Sequence, residues 1–592
     1  MAEVYPDSKT FVDMKMKYGR NETIRRFNLL MDSTAQKPTK HDLLEFLNNT
    51  FEEAGSEFET WQPLDWIENP PFIEKIKDKD LKDWALKLNG MWKMLGRQMK
   101  PHVGQTPDLY SIIYVPNPVI IPGGRFREFY YWDSYWIVRG LLLSKMHKTV
   151  RGMLSNFVGI VDKYGFVPNG GRVYYTRRSQ PPLLIPMVES YLEATGDYGF
   201  IKDNIHTLEK EYDFWINNRS VSVKKSGKTY RLALYSENSK GPRPESYKED
   251  FRSAWALPDE DARNEFYSEL KSAAESGWDF SSRWFVNNGT NKGNITHIKI
   301  KQLVPVDLNS ILCWNARLLA DFYEKLNMTH KADQFRRQQR EWTEAVEKVL
   351  WDERTGAWLD WDTVAGQRRP YFAASSMFPL WTGCYDKTKM SHFVGRALKY
   401  LERADVTENP GGVPTTLELS GEQWDFPNAW PPLQHVFVVG LDSTDDLWAK
   451  RTAFEIAERW VRSNFKVFNE TGAMYEKYDA SKFGGHGGGG EYEVQLGFGW
   501  SNGVILDFLD MYGRDATSGG VRTAKVYPSP ATATQVIAIL LGFLGTLAVG
   551  CIGLMVYNRR TLNLAMKSGQ KPKVYPKLRY SKIPLGVHKS DL

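Results

Sequence analysis

The segment SILCWNARLLADFYEKL, residues 310–326, decides the fold class of this 592-residue chain. Its apolar residues Ile311, Trp314, Leu318, Phe322 and Leu326 recur three or four positions apart, so they share one face of a helix. The same pattern appears in AFEIAERWVRSNF, residues 453–465, and at intervals between about residues 100 and 515. Because the alternation typical of strands is rare, the sequence predicts a mainly helical, all-α body.

The helical patterns also suggest an arrangement. Residues 1–100 predict an irregular start with helical stretches near HDLLEFLNNTFEEAG and KDKDLKDWALKLNGMWKML. About a dozen helices then follow, and loops rich in glycine, proline, asparagine and aromatic residues separate them. This pattern favours a toroid of helical hairpins with a site at one end, although a helical solenoid would show the same periodicity.

The positive net charge of the chain comes from its last residues. The whole chain carries +6, but residues 558–592 hold nine lysines and arginines against one aspartate, so everything before this tail sums to −2. The basic balance therefore gives no reason to expect nucleic-acid binding by the main body.

A membrane anchor is predicted just before this tail. Residues 535–557, QVIAILLGFLGTLAVGCIGLMVY, are uncharged and long enough to cross a bilayer, and Arg559 and Arg560 follow them. The positive-inside rule places the basic tail in the cytoplasm and the large N-terminal part outside, with residues 516–534 as a stalk. A glycolipid anchor signal is the alternative, but it would end at its hydrophobic stretch.

Other features agree with a plasma-membrane, single-pass type I protein whose larger domain is extracellular. Cys551 lies in the predicted membrane segment, which leaves Cys313 and Cys384 for at most one disulfide. The first residues lack the apolar core of a signal peptide, which favours a start at an internal methionine of a longer precursor; the alternative is that the membrane helix itself is the targeting signal. Seven N-x-[ST] glycosylation sequons all precede the membrane segment, at Asn21, Asn48, Asn218, Asn288, Asn294, Asn327 and Asn469.

Residues 122–136, PGGRFREFYYWDSYW, have the composition of a sugar-binding site. Arg125, Glu128 and Asp133 offer hydrogen-bonding groups among many aromatic rings, and sugars bind to both kinds of surface. The simpler interpretation is a structural loop that leads into a buried aromatic helix.

A second dense motif, QWDFPNAWPP at residues 423–432, repeats this chemistry, and together the two resemble the signature segments of trehalases. Further segments agree, namely GFVPNGGRVYYTRRSQPPL, GPRPESY, AAESGWDFSSRW, MYEKYD and GGGGEYEVQLGFGWSNG. The resemblance covers about residues 5–515. It implies an (α/α)6 barrel that cleaves α,α-trehalose with inversion, which requires one carboxylic acid and one carboxylate.

The resemblance also implies catalytic roles. Asp279, in SGWDFSSRW, matches the general acid and would protonate the glycosidic oxygen. Glu476, in MYEKYD, matches the general base, and Glu491 after the glycine run is the rival candidate. Without the motifs, Asp279 would be read as a helix N-cap, and Glu476 as half of a surface ion pair with Lys477.

The remaining motif positions are expected to contact substrate. They are Arg125, Trp132, Asp133, Asn169, Arg178, Ser179, Gln180, Arg243, Pro244, Glu245, Gly277 and Glu491. The glycine run at residues 484–491 lacks the pattern of a phosphate loop and is expected to cover the sugar. No metal-binding spacing is present in DERTGAWLDWD or elsewhere, and the reaction requires no cofactor.

The sequence thus predicts a membrane-anchored trehalase with its catalytic domain, residues 1–515, outside the cell. Two alternatives remain: an inverting glycosidase of similar fold that acts on another α-glucoside, and an inactive sugar-binding receptor that signals through its tail. The sequence does not determine the oligomeric state.

Overall fold

The computed structural model describes residues 3–519, which form one compact unit. This part of the chain is mainly helical, as the periodicity predicts. Its α-helices are α1 (Ser8–Val12), α2 (Arg20–Ser33), α3 (Lys40–Thr50), α4 (Lys79–Leu95), α5 (Pro101–Gln105), α6 (Asp133–Leu143), α7 (His147–Tyr164), α8 (Leu184–Thr195), α9 (Tyr198–Asn218), α10 (Tyr247–Ser253), α11 (Glu260–Glu275), α12 (Val306–Lys325), α13 (Thr329–Ala345), α14 (Phe378–Thr382), α15 (Met390–Ala404), α16 (Pro431–Asp442), α17 (Leu447–Thr471) and α18 (Gly499–Tyr512).

Local sequence signals explain where these helices begin and end. Asp78 caps α4 by accepting a hydrogen bond from the Leu81 amide at 3.0 Å, and Asp446 caps α17 through the Ala449 amide at 2.9 Å. Gly472, with φ of 71°, ends α17 in the left-handed conformation that glycine adopts without strain.

Six helices contact one another in a closed ring. The order around it is α6, α8, α12, α14, α16 and α18, and α18 returns to α6. Helices α4, α7, α9, α13 and α17 each pack against a member of the ring, so they form an outer layer. The ring buries aromatic side chains, including Trp136, which stacks on Trp381 at a centroid distance of 6.4 Å.

The chain also forms short strands between the helices. They are β1 (Lys15–Met16), β2 (Phe51–Glu52), β3 (Phe58–Thr60), β4 (Gly96–Met99), β5 (Val119–Ile120), β6 (Ser220–Lys225), β7 (Lys228–Ala233), β8 (Leu303–Val304), β9 (Trp351–Asp352), β10 (Ala357–Trp358), β11 (Trp361–Asp362), β12 (Gln367–Arg368), β13 (Asn428–Ala429) and β14 (Tyr478–Asp479).

The longest antiparallel pair is the hairpin of β6 and β7, which pairs Ser220 with Ala233 and Lys225 with Lys228. The expectation of an all-α body missed it. Ser226 and Gly227 both have positive φ, as the two-residue turns that match strand twist require.

Cys313 in α12 and Cys384, just after α14, form a disulfide with their Cα atoms 5.9 Å apart. It is the single bridge that the cysteine count allows. Within residues 3–519, no helix combines the length and the apolar character needed to cross a membrane. The predicted membrane segment 535–557, most of the stalk and the tail lie outside the described residues.

Candidate active site

Connections between helices carry both predicted catalytic carboxylates. Asp279 lies between α11 and the short 3-10 turn Ser282–Trp284, and Glu476 lies between α17 and α18. Asp279 does not cap the turn that follows it, because the Ser281 hydroxyl accepts the hydrogen bond from the Arg283 amide at 3.0 Å. The helix-cap interpretation of Asp279 is therefore wrong.

The surroundings of Asp279 favour a protonated carboxyl group. Burial raises its pKa to about 6, against the opposing influence of the nearby Arg243 and Arg178 cations, and the Glu245 anion adds to the rise. The backbone is held in place because the Gln423 side chain donates a hydrogen bond to the Asp279 carbonyl at 2.6 Å. A carboxyl group with this pKa can donate a proton in mildly acidic to neutral solution.

Glu476 is only 2% exposed, so it is not half of a surface ion pair. Its Oε1 accepts a hydrogen bond from the Tyr492 hydroxyl at 2.8 Å, whereas its Oε2 has no hydrogen-bond partner within residues 3–519. Burial raises its pKa, while the Lys477 cation and the Tyr492 bond favour the ionised form, and the charge of Asp279 raises the pKa further. An ionised carboxylate with one free oxygen can accept a proton from water.

Asp133, the first residue of α6, is a third buried carboxyl group in the same place. Burial raises its pKa well above the usual range, and the negative charges of Glu476 and Asp279 raise it further. Because like charges must lie close together to disfavour ionisation in this way, the three acids belong to one site. A neutral Asp133 can donate a hydrogen bond to a sugar hydroxyl.

Two buried arginines connect the other predicted site residues. Arg178 donates from Nε to Asn169 Oδ1 at 2.8 Å and from Nη2 to Glu245 Oε1. The exposed fraction of its side chain is only 4%. This contact fixes the plane of the Arg178 guanidinium, so its remaining N–H groups keep one orientation.

Arg243 makes a similar set of contacts with two carboxylates. It donates to Asp250 Oδ1 at 2.6 Å and to Glu491 Oε1 at 2.7 Å, and the Ser246 hydroxyl reaches Glu491 Oε2 at 3.2 Å. Burial raises the pKa of Glu491 to about 7 despite the Arg243 cation. Since both oxygens of Glu491 already have partners, Glu476 fits the general base better.

Trp132 provides an apolar face in the site. Its backbone amide donates to Gln180 Oε1 at 3.1 Å, and its ring lies 5.7 Å from that of Trp424. Gly277 has φ of +78°, and a Cβ atom there would lie 2.8 Å from the Trp132 ring. The glycine therefore permits both the turn before Asp279 and the close approach of the indole.

Three of the predicted substrate-contact residues, Ser179, Pro244 and Arg125, have partners or exposure that differ from those of the groups above. The Ser179 hydroxyl donates to the Val167 carbonyl at 2.7 Å, and Pro244 is exposed at the start of a 3-10 turn. The Arg125 guanidinium is paired with Asp7, which the sequence motifs do not include. The roles of all the site residues in substrate contact stay predictions.

Sequence reasoning missed several residues of the site. Tyr492 follows Glu491 in the quoted motif GGGGEYEVQLGFGWSNG, so the motif already contained it. Lys477 is fully buried and donates to Gln423 Oε1 at 2.6 Å, although its position beside Glu476 suggested a surface residue. Asp250 and Asp7 lie in segments that no motif singles out.

Comparison with known proteins identifies the family of this chain. A profile of the Trehalase family matches residues 3–513. A trehalase of Apis mellifera is 55% identical over 562 residues, covering 94% of this chain and 90% of that protein. A trehalase of Homo sapiens is 46% identical over 544 residues, covering 92% of each. The solved neutral trehalase Nth1 from Saccharomyces cerevisiae is 26% identical with a TM-score of 0.53, covering 66% of this chain and 73% of that one. The chain therefore belongs to the trehalase family.

Proposed function

We propose that this protein hydrolyses α,α-trehalose to two glucose molecules with inversion at the attacked carbon. The observation that carries the proposal is that two buried acids of one site have different neighbours. Burial raises the pKa of Asp279 to about 6. Burial raises the pKa of Glu476 too, but the Lys477 cation and the Tyr492 hydroxyl favour its ionised form, and its Oε2 has no partner within residues 3–519. One acid can thus give a proton while the other accepts one.

The reaction uses both acids in a single displacement. Glu476 takes a proton from a water molecule as the water oxygen bonds to the anomeric carbon. The bond from this carbon to the bridging oxygen breaks, and Asp279 gives its proton to that oxygen. One β-glucose and one α-glucose result. The site then returns to its starting state when the proton moves from Glu476 to Asp279 through solvent.

The other buried groups are suited to holding glucose during this step. The Trp132 ring offers a flat apolar surface for the C–H face of a pyranose, and a protonated Asp133 offers a hydroxyl donor. Arg178 and Arg243, each fixed by carboxylates, offer N–H donors with little loss of side-chain freedom on binding.

The fold supports this assignment. The closed ring of six helices and the five outer helices that pack on it fit an (α/α)6 toroid. Arg125, Asp279, Glu476 and Glu491 all lie in connections between helices. Such connections carry substrate-binding side chains on a rigid scaffold.

The cellular setting is part of the proposal. We infer a type I plasma-membrane protein whose catalytic domain is extracellular and glycosylated. Residues 535–557 support the anchor by their length and apolar character. All seven sequon asparagines are exposed, so an oligosaccharide could be attached at each of them, at Asn21, Asn48, Asn218, Asn288, Asn294, Asn327 and Asn469. Carbonate-resistant membrane association of the full chain, lost when residues 535–557 are deleted, would support the anchor.

The decisive assay measures glucose release from trehalose by the wild type and by Asp279→Asn and Glu476→Gln, with Asp32→Asn as control. Asp32 is exposed on α2, and its carboxylate accepts a hydrogen bond from the Gln36 side chain, also exposed. Each active-site variant should lose roughly 10²-fold to 10⁴-fold in kcat, the usual contribution of a positioned acid or base. Retained turnover in either variant would reject the assignment.

A second measurement tests the stereochemistry and the alternatives. Proton NMR of fresh product should show equal first-formed amounts of α-glucose and β-glucose, and only α-glucose would reject inversion. A panel of other α-glucosides tests the related-glycosidase alternative. Trehalose binding without any turnover would favour the receptor.

A further inference from the structure

We propose that Asp7 is a positioning residue for Arg125, so that the N-terminal segment completes the catalytic site. This inference rests on the proposed function. The Asp7 carboxylate receives two hydrogen bonds from the Arg125 guanidinium, from Nε to Oδ2 at 2.8 Å and from Nη2 to Oδ1 at 2.7 Å. Such a paired contact fixes both the plane and the direction of a guanidinium group.

The Arg125 guanidinium also contacts Tyr492, which is bonded to the predicted base Glu476. The Arg125 guanidinium lies 4.7 Å from the centre of the Tyr492 ring, and the Tyr492 hydroxyl donates to Glu476 at 2.8 Å. The Arg125 amide also donates to Gln495 Oε1 at 2.8 Å, and the Gln495 carbonyl accepts from the Glu476 amide at 3.0 Å. Asp7 therefore orients a cation that lies against the Tyr492 ring, while the Arg125 backbone is tied separately to the segment of Glu476 through Gln495.

The segment that carries Asp7 is firmly held. Ser8 donates to Glu249 at 3.0 Å, and Lys9, only 3% exposed, lies 2.7 Å from the fully buried Glu128. Helix α1 also packs on the turn Pro244–Ser246, which contains predicted substrate contacts. Asp7 is thus presented to Arg125 by a fixed element rather than by a loose terminus.

Charge gives Asp7 a second effect. The Arg125 cation favours the ionised form of Glu476, and Asp7 partly neutralises that cation. Burial alone would raise the pKa of Asp7, but the bonds and charge of Arg125, together with the amide and charge of Lys9, outweigh burial and lower it, so Asp7 stays ionised. The charged and titratable groups that face Glu476 or Arg125 are Lys477, Tyr492, Asp279, Asp133, Tyr130 and Asp7.

The test variant is Asp7→Asn, which removes the charge and keeps the fold. Asp7 is the N-cap of α1 and accepts from the Lys9 amide at 2.9 Å, and asparagine caps helices as well as aspartate does. With a looser Arg125, the KM for trehalose should rise about fivefold to tenfold, the loss expected for one weakened charged contact, with kcat changed less.

The pH profile gives a readout that a purely structural role would not move. Without Asp7, the unbalanced Arg125 cation should favour ionised Glu476, so the ascending limb of kcat/KM should move to lower pH by about half a pH unit. Asp7→Glu should restore much of both effects. In an Arg125→Gln background, Asp7→Asn should add little, because the partner is already absent.

Controls separate the possible outcomes. Asp32→Asn removes an exposed carboxylate of the same N-terminal region and should leave KM and the pH profile unchanged. An unchanged KM and limb in Asp7→Asn, or a lowered melting temperature alone, would overturn the proposal. Wild-type protein that fails to cleave trehalose would instead reject the proposed function.

Discussion

Replacing Tyr492 by phenylalanine should move the ascending limb of the pH profile to higher pH. The Tyr492 hydroxyl donates to Glu476 Oε1 at 2.8 Å and so stabilises the ionised carboxylate. Burial and the charges of Glu476 and Asp279 hold the pKa of Tyr492 well above its usual value, so it remains a donor throughout the working range. Phenylalanine keeps the ring beneath Arg125 and removes only this donor.

The magnitude follows from the strength of one bond to a charged group. Such bonds contribute about 1.5 to 3 kcal/mol, and about 1.4 kcal/mol corresponds to one pKa unit. Because water can replace part of the lost bond, we expect the pKa of Glu476 to rise by about one unit. The limb assigned to Asp279, near pH 6, should move much less, so the bell-shaped profile should narrow.

The assay is kcat/KM for trehalose measured between about pH 3.5 and pH 8, which reports ionisations of the free enzyme. Tyr371→Phe is the matched control, since within residues 3–519 the one hydrogen bond of the Tyr371 hydroxyl goes to the Gly289 carbonyl, at 3.3 Å. An ascending limb that stays in place, or moves to lower pH, would refute Glu476 as the base whose ionisation Tyr492 supports.

Two further predictions concern packing and buried charge. Gly277→Ala should reduce kcat/KM by about tenfold or more because its Cβ would displace Trp132, whereas Gly289→Ala, with the same φ of +78° and open space around it, should cost only roughly 1 kcal/mol of stability. Activity and melting temperature are measured for both variants, because this distinguishes the clash of the new Cβ with Trp132 from the backbone strain that both variants share. Equal activity in the two would contradict the role given to Trp132. Burial raises the pKa of Glu211 to about 8, so folding favours its protonated form; the stabilisation is complete below the unfolded pKa and is lost as pH rises toward 8. Glu211→Gln should therefore raise the melting temperature relative to wild type more at pH 8 than at pH 5, and an equal difference at both values would contradict this.

Much of the helical architecture was predictable from spacing alone. The apolar face of residues 310–326 lies in α12 except for Leu326, which caps the end of that helix, and the capped stretches near residues 40 and 80 become α3 and α4. The hairpin of β6 and β7 was missed although Val221 and Val223 alternate with polar residues before a Ser-Gly turn. The segments before and after the hairpin have helical periodicity, which obscured this short alternation. A strand pattern of this length is also meaningful only when its partner strand is known.

The site was predictable in part because its motifs are contiguous. The segments around Asp279 and Glu476 identify candidate acids by their neighbours in sequence. The state of each acid depends instead on burial and on charges from distant segments. Lys477 illustrates the limit: beside Glu476 a surface ion pair was the simple expectation, yet the lysine is fully buried and bonds to Gln423.

The sequence by itself determined the family, the helical body and the residues available for acid and base chemistry. Only the tertiary structure decided which charges meet: Arg125 with Asp7, 118 residues away, and Arg243 with Glu491, 248 residues away. The physical reason is that pKa values and side-chain orientation depend on through-space contacts and on exclusion of water. Both arise only when distant segments pack together.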